Sequence, residues 1–118
     1  MRLLIKNGLV IDKSTGLNDK LHIFIENGII EKISDNLSDF EDIDSFVIDA
    51  EGLCVSPGLV DMHCHLRDPG FEYKEDIESG VKAAAKGGFA RIACMPNTRP
   101  VVDNSAIVTY IREKSERL

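Results

Sequence analysis

The sequence predicts an α/β chain in two parts, a β-sandwich portion over residues 1–56 and a strand–helix–strand–helix run over residues 57–118. The first part consists of short apolar runs separated by Asn-Gly and Glu-Gly dipeptides, which are turn signals between strands. After Pro57 the apolar residues recur at helical spacing, between segments that read as buried strands. The two parts meet at Ser56-Pro57-Gly58-Leu59-Val60-Asp61-Met62-His63-Cys64-His65-Leu66-Arg67-Asp68-Pro69-Gly70, a short strand opened by Pro-Gly and closed by Asp-Pro-Gly.

In the first part, Leu3-Leu4-Ile5 and Leu9-Val10-Ile11 flank Asn7-Gly8, and residues 21–25 and 29–33 flank Asn27-Gly28. Both dipeptides favour the type I′ turn of a two-residue hairpin. Residues 46–50 and 53–55 follow, separated by Glu51-Gly52. Short strands at this spacing predict a small antiparallel sheet or half of a sandwich. Residues 34–45 are acidic, with Asp35, Asp39, Glu41, Asp42 and Asp44, and read as a solvated loop. His22 reads as a structural or exposed histidine and Cys54 as a small buried apolar residue.

In the second part, Tyr73, Ile77, Val81, Ala84 and Gly88 recur at intervals of three and four, and Lys86-Gly87-Gly88 supplies a helix stop. Residues 89–95 form a second apolar strand, closed by Pro96-Asn97-Thr98-Arg99-Pro100. Asp103, Asn104 or Ser105 then caps a helix with Ile107, Tyr110 and Ile111 on one stripe.

Composition narrows the function classes. Of 118 residues, 43% are hydrophobic and 29% charged, ordinary values for one globular core. A net charge of -6 argues against a nucleic-acid surface, which needs clustered Lys and Arg. No apolar run approaches the roughly 20 residues that span a bilayer, and the amino terminus turns polar at Lys6-Asn7-Gly8, too early for a secretory signal. Three cysteines without C-x-x-C spacing make no disulfide framework, so a cytoplasmic setting is expected.

The chemistry concentrates in the D-x-H-x-H-x-R pattern. Strand side chains alternate, which puts Asp61, His63, His65 and, if the strand runs that far, Arg67 on one face, and Val60, Met62, Cys64 and Leu66 on an apolar face suited to covering helices. Two imidazoles two residues apart can converge on one cation. By the same parity Cys64 points away from that cation, and Cys94 reads as strand packing. Asn97 and Thr98 follow the second strand, and ligands in parallel α/β architectures bind at the carboxyl ends of strands. Arg99 reads as a solvated loop residue.

Residues 48–65 resemble the start of the amidohydrolase superfamily. The segments His65-Leu66-Arg67-Asp68-Pro69-Gly70, Tyr73-Lys74-Glu75, Gly87-Gly88-Phe89 and Met95-Pro96-Asn97-Thr98-Arg99-Pro100 are similar to bacterial class I dihydroorotases. The resemblance implies a small β-sandwich portion followed by the first two βα units of a (β/α)8 TIM-type barrel. It implies the reversible interconversion of dihydroorotate and N-carbamoyl-L-aspartate in pyrimidine biosynthesis, with one or two zinc ions in the complete enzyme. On that basis His63 and His65 would be zinc ligands, Arg67 and Asn97 would hold the substrate carboxylate, and Asp61 would support the histidines from behind.

Such a barrel takes about 250 residues, so residues 57–118 hold two of its eight units. The bridging carboxylate, two later histidines and the catalytic aspartate are expected beyond residue 118, and the chain alone is expected to be catalytically silent, with weak zinc binding. The expected partners are the small-molecule substrate and further copies of the chain, with no nucleic acid and no membrane. Two rivals stand beside this expectation: an allantoinase- or hydantoinase-type cyclic amidohydrolase, and a non-catalytic dihydroorotase-like scaffold.

Overall fold

A computed structural model describes residues 1–40 and 43–118. The elements run β1 (Arg2–Asp12), β2 (Leu17–Glu26), β3 (Ile29–Ser34), a 3-10 turn (Leu37–Phe40), β4 (Phe46–Asp49), β5 (Cys54–Val55), β6 (Leu59–Cys64), α1 (Ile77–Lys86), β7 (Phe89–Cys94) and α2 (Ser105–Glu116). The chain divides into two compact units, Met1–Pro57 and Gly58–Leu118. This is the α/β class expected from the sequence: a β-rich unit, then strand, helix, strand, helix. No helix among the described residues is long and apolar enough to cross a membrane.

The first unit is one five-stranded sheet in which β3, β2, β1 and β4 are successive neighbours and β5 also pairs with β1. Asn27-Gly28 makes the expected hairpin: both residues have positive φ, 50° and 83°, and β2 pairs antiparallel with β3 from Glu26↔Ile29 onward. Asn7-Gly8 does not. β1 runs straight through it, pairing with β2 on both sides, and the register slips by one residue between Ile5 and Gly8. Asn7 has a φ of 64°, its N–H donates to His22 Nδ1 at 3.0 Å, and its side-chain amide donates to Asp49 Oδ1 at 2.9 Å. The dipeptide is therefore a β-bulge in a continuous strand rather than a turn.

The sheet is also not wholly antiparallel. β4 and β5 both pair parallel to β1, Leu3↔Phe46 and Leu9↔Cys54, and Glu51-Gly52 lies in the turn between them, which does not reverse the chain. Leu53 N–H closes that step on Ala50 O at 2.9 Å.

One face of the sheet carries Leu4 and Phe24, cross-strand partners buried with Phe40 of the 3-10 turn, and Ile43 packs against them. The acidic segment is thus partly anchored: Phe40 enters the core and Asp39 pairs with Lys32 at 3.2 Å. Glu41 and Asp42 lie outside the described residues. Ile5, Ile23, Ile25, Ile30 and Ile33 line an apolar groove elsewhere on the sheet. His22 is buried with its ring edge-on to Phe40, a structural histidine. Cys54 is exposed, contrary to expectation, on a two-residue strand that pairs only with β1.

In the second unit β6 and β7 pair in parallel, with α1 between them in sequence. Asp76 caps α1: its carboxylate accepts Ser79 N–H at 2.8 Å while Ser79 Oγ receives Asp76 N–H. Tyr73 therefore lies before the helix, 79% exposed, and Ile77 is its buried first residue. Asn104 caps α2 by accepting the N–H groups of Ala106 and Ile107.

Candidate metal centre

The strand-end loops of the second unit carry the candidate residues. β6 and β7 approach closely at their start, where a Cβ on Gly58 would strike the Ala90 side chain. The register then slips between Leu59 and Val60 and again between Asp61 and Cys64. His63 sits on the strand and His65 just beyond its end, and their rings stand 5.2 Å apart, edge to face. Asp61 Oδ1 accepts the backbone N–H of His63 at 2.9 Å, holding the strand end rather than an imidazole.

Asn97 reaches His65 from the loop after β7, its Oδ1 2.9 Å from His65 Nδ1. An amide oxygen only accepts, so the proton of that bond resides on Nδ1, which leaves the Nε2 lone pair for a cation and both amide hydrogens of Asn97 for another partner. Buried Thr98 fixes this loop, donating its hydroxyl to Pro100 O at 2.7 Å and its N–H to Pro96 O at 2.9 Å.

Arg67 lies beyond the strand, which stops at Cys64, and has a φ of 62°. It is half-buried, its carbonyl accepts Phe71 N–H at 2.9 Å, and its guanidinium makes no hydrogen bond or ion pair among the described residues.

Strict strand parity does not survive the register slips. Asp61, Cys64 and His65 border one cleft together with Leu66, Gly80 and Ile92. Leu66 packs so closely on α1 that a Cβ on Gly80 would strike it. Val60 and Met62, expected beneath helices, are 56% and 75% exposed. Cys64 is occupied by packing: its Sγ donates to Ala93 O at 3.6 Å, and burial pushes its thiol up from the ordinary value.

Two adjacent imidazoles match the nitrogen-donor chemistry of zinc. Among the described residues no group of three His, Cys, Asp or Glu side chains converges on one point, so these residues fit part of a metal shell.

The residue that sequence reading missed is Asp68, treated there only as part of a closing turn. It is the one buried carboxylate among the described residues, and its partners lie on α2, where local spacing gives no sign of them.

The fold compares closely with solved hydantoinases. An L-hydantoinase (dihydropyrimidinase) from Arthrobacter aurescens matches with a TM-score of 0.76 at 26% identity, over 96% of this chain and 24% of that one. A D-hydantoinase matches with a TM-score of 0.72 at 35% identity, over 98% of this chain and 24% of that one.

Sequence relatives narrow the class. The dihydroorotase of Ruminiclostridium cellulolyticum is 57% identical over 98% of this chain and 26% of its own length. That of Aquifex aeolicus is 52% identical over 98% of this chain and 27% of its own length. The family model described as dihydro-orotase-like matches residues 52–117. The chain belongs to the dihydro-orotase-like family, and it spans about a quarter of the length of the curated relatives it matches.

Proposed function

We propose that this chain supplies the amino-terminal part of a zinc-dependent dihydroorotase, which opens and closes the ring amide of dihydroorotate to interconvert it with N-carbamoyl-L-aspartate in pyrimidine biosynthesis. The carrying observation is the pairing of His63 and His65 at the end of β6, with Asn97 brought onto His65 from β7. The second unit is the first two βα units of the barrel, and the sheet of the first unit is the β-sandwich portion.

His63 and His65 would hold zinc, and when bound the metal supplies Lewis-acid chemistry at neutral pH. Asn97 orients His65 through its amide oxygen and offers its amide hydrogens to the substrate carboxylate. Arg67 offers the same carboxylate a planar two-pronged donor, fixing the ring so that its amide carbonyl meets the metal side of the site. Asp61 holds the His63 backbone. Two imidazoles fall short of the three protein ligands of a catalytic zinc site, so the chain alone binds the metal weakly and is silent in catalysis. A cytoplasmic homo-oligomer fits this reading.

The test is Arg67→Met in the enzyme that carries this chain. Loss of a charge-assisted contact of about 1.5–3 kcal/mol raises KM for dihydroorotate on the order of tenfold to a hundredfold, with zinc content unchanged. Unaltered kinetics would remove Arg67 from the substrate site. The hydantoinase structures favour a second reading, a broader cyclic-amide hydrolase. Turnover of hydantoin in preference to dihydroorotate would select it.

A further inference from the structure

Arg67 sits in the left-handed region of backbone space, where a non-glycine residue stays only if its surroundings over-determine it. The next residue shows what does so. The Asp68 side chain is 0% exposed and receives three donors. Tyr110 Oη donates to Oδ1 at 2.9 Å, while Lys114 Nζ at 2.6 Å and the Ile77 N–H at 3.4 Å donate to Oδ2. Ile77 is the fully buried first residue of α1, and Tyr110 and Lys114 lie one turn apart on α2. One carboxylate therefore ties the segment after β6 to both helices.

The same segment is latched to the other strand-end loop. Arg99 N–H donates to Pro69 O at 2.9 Å, and Gly70, at a φ of 95°, lies so close to Arg99 that any Cβ would meet its carbonyl. Phe71 N–H closes the turn on Arg67 O at 2.9 Å. Arg67 is thus fenced on its carbonyl side by a turn whose one buried group is Asp68.

We propose that Asp68 is a positioning residue that locks Arg67, through the Tyr110–Lys114 edge of α2, into register with the Asn97 loop. Breaking the lock leaves both guanidinium and amide present but no longer held at a fixed separation. The consequence for substrate rests on the role given to Arg67 above; the lock itself does not.

Two measurements separate these. In the 15N-labelled 118-residue chain, amide hydrogen exchange is followed at Phe71 and Arg99, which report the lock, and at Ala84 in α1 and Ile23 in β2 as references. Asp68→Asn and the milder Lys114→Gln are expected to lower protection at Phe71 and Arg99 by about tenfold or more, with the references unchanged, and Lys114→Arg to restore it. Unchanged loop amides in both variants, or losses at Ala84 that keep pace with those at Phe71, overturn the lock. In the enzyme that carries the chain, Lys114→Gln is expected to raise KM for dihydroorotate and to add nothing on an Arg67→Met background. Additive effects overturn action through Arg67. If Arg67→Met alone leaves KM unchanged, the substrate reading falls, and the exchange data still decide the lock.

Discussion

His65 and Asn97 meet at 2.9 Å, ring nitrogen to amide oxygen, although they stand at the ends of different strands. The bond places the proton of that contact on Nδ1, fixes the orientation of the His65 ring and leaves its Nε2 unshared.

Zinc affinity of the chain should follow that arrangement. The double variant His63→Ala, His65→Ala is expected to abolish binding in a calorimetric titration, and Asn97→Ala to weaken it about 10–100-fold by freeing the His65 ring. Cys64→Ala should retain binding, because the thiol is directed to Ala93 O. Binding lost with Cys64 and kept without the histidines would move the site elsewhere.

Gly70 and Gly88 offer a matched comparison of backbone conformation with and without crowding. Both have positive φ, 95° and 82°, but a Cβ on Gly88 meets open space, whereas one on Gly70 meets the Arg99 backbone. Gly88→Ala is expected to cost about 1–2 kcal/mol from φ alone. Gly70→Ala should cost more and should unlatch Arg99 from Pro69. Equal losses in denaturant titrations would show that the loop contact contributes nothing.

The helix cap at Asp76 gives the second unit an acid dependence. The hydrogen bonds from Ser79, backbone first, hold its carboxyl below the ordinary 3.8. The unfolded chain then takes up the proton more readily than the folded one, so the stabilisation is complete above that ordinary value and is lost as pH falls through the lower folded one. The melting-temperature gap between wild type and Asp76→Ala should be present at neutral pH and close in strong acid. A gap that persists there would assign the effect to something other than the carboxylate.

The residues legible in the sequence are those whose meaning is local. The spacing of His63 and His65 already implied neighbouring rings, and Asn27-Gly28 implied its hairpin, because a two-residue turn depends only on the φ values of those two residues. Asn7-Gly8 is the same dipeptide, and Asn7 adopts the same positive φ, but Gly8 does not share it. What makes it a bulge is β2, lying alongside both halves of β1, and no local pattern reveals that partner. Asp68 was hidden for a similar reason: its donors Tyr110 and Lys114 come from α2, with α1 and β7 intervening in the chain. Simple alternation along β6 is interrupted where the ladder slips between Asp61 and Cys64, which the sequence does not announce, while the Cys64 thiol turns to Ala93 O.

The strand order of the first unit also dictates a sequence of events during synthesis. β1, β2 and β3 form an antiparallel meander that is complete at Ser34, and its tightest pairing, Glu26 with Ile29, closes across only two residues. Such a hairpin forms within microseconds, far faster than a ribosome adds the next residue. β4 has no place until Phe46 has emerged and can return to Leu3, a closure across most of the unit. The antiparallel meander can therefore close first, while the edge of β1 that later receives β4 and β5 is still open.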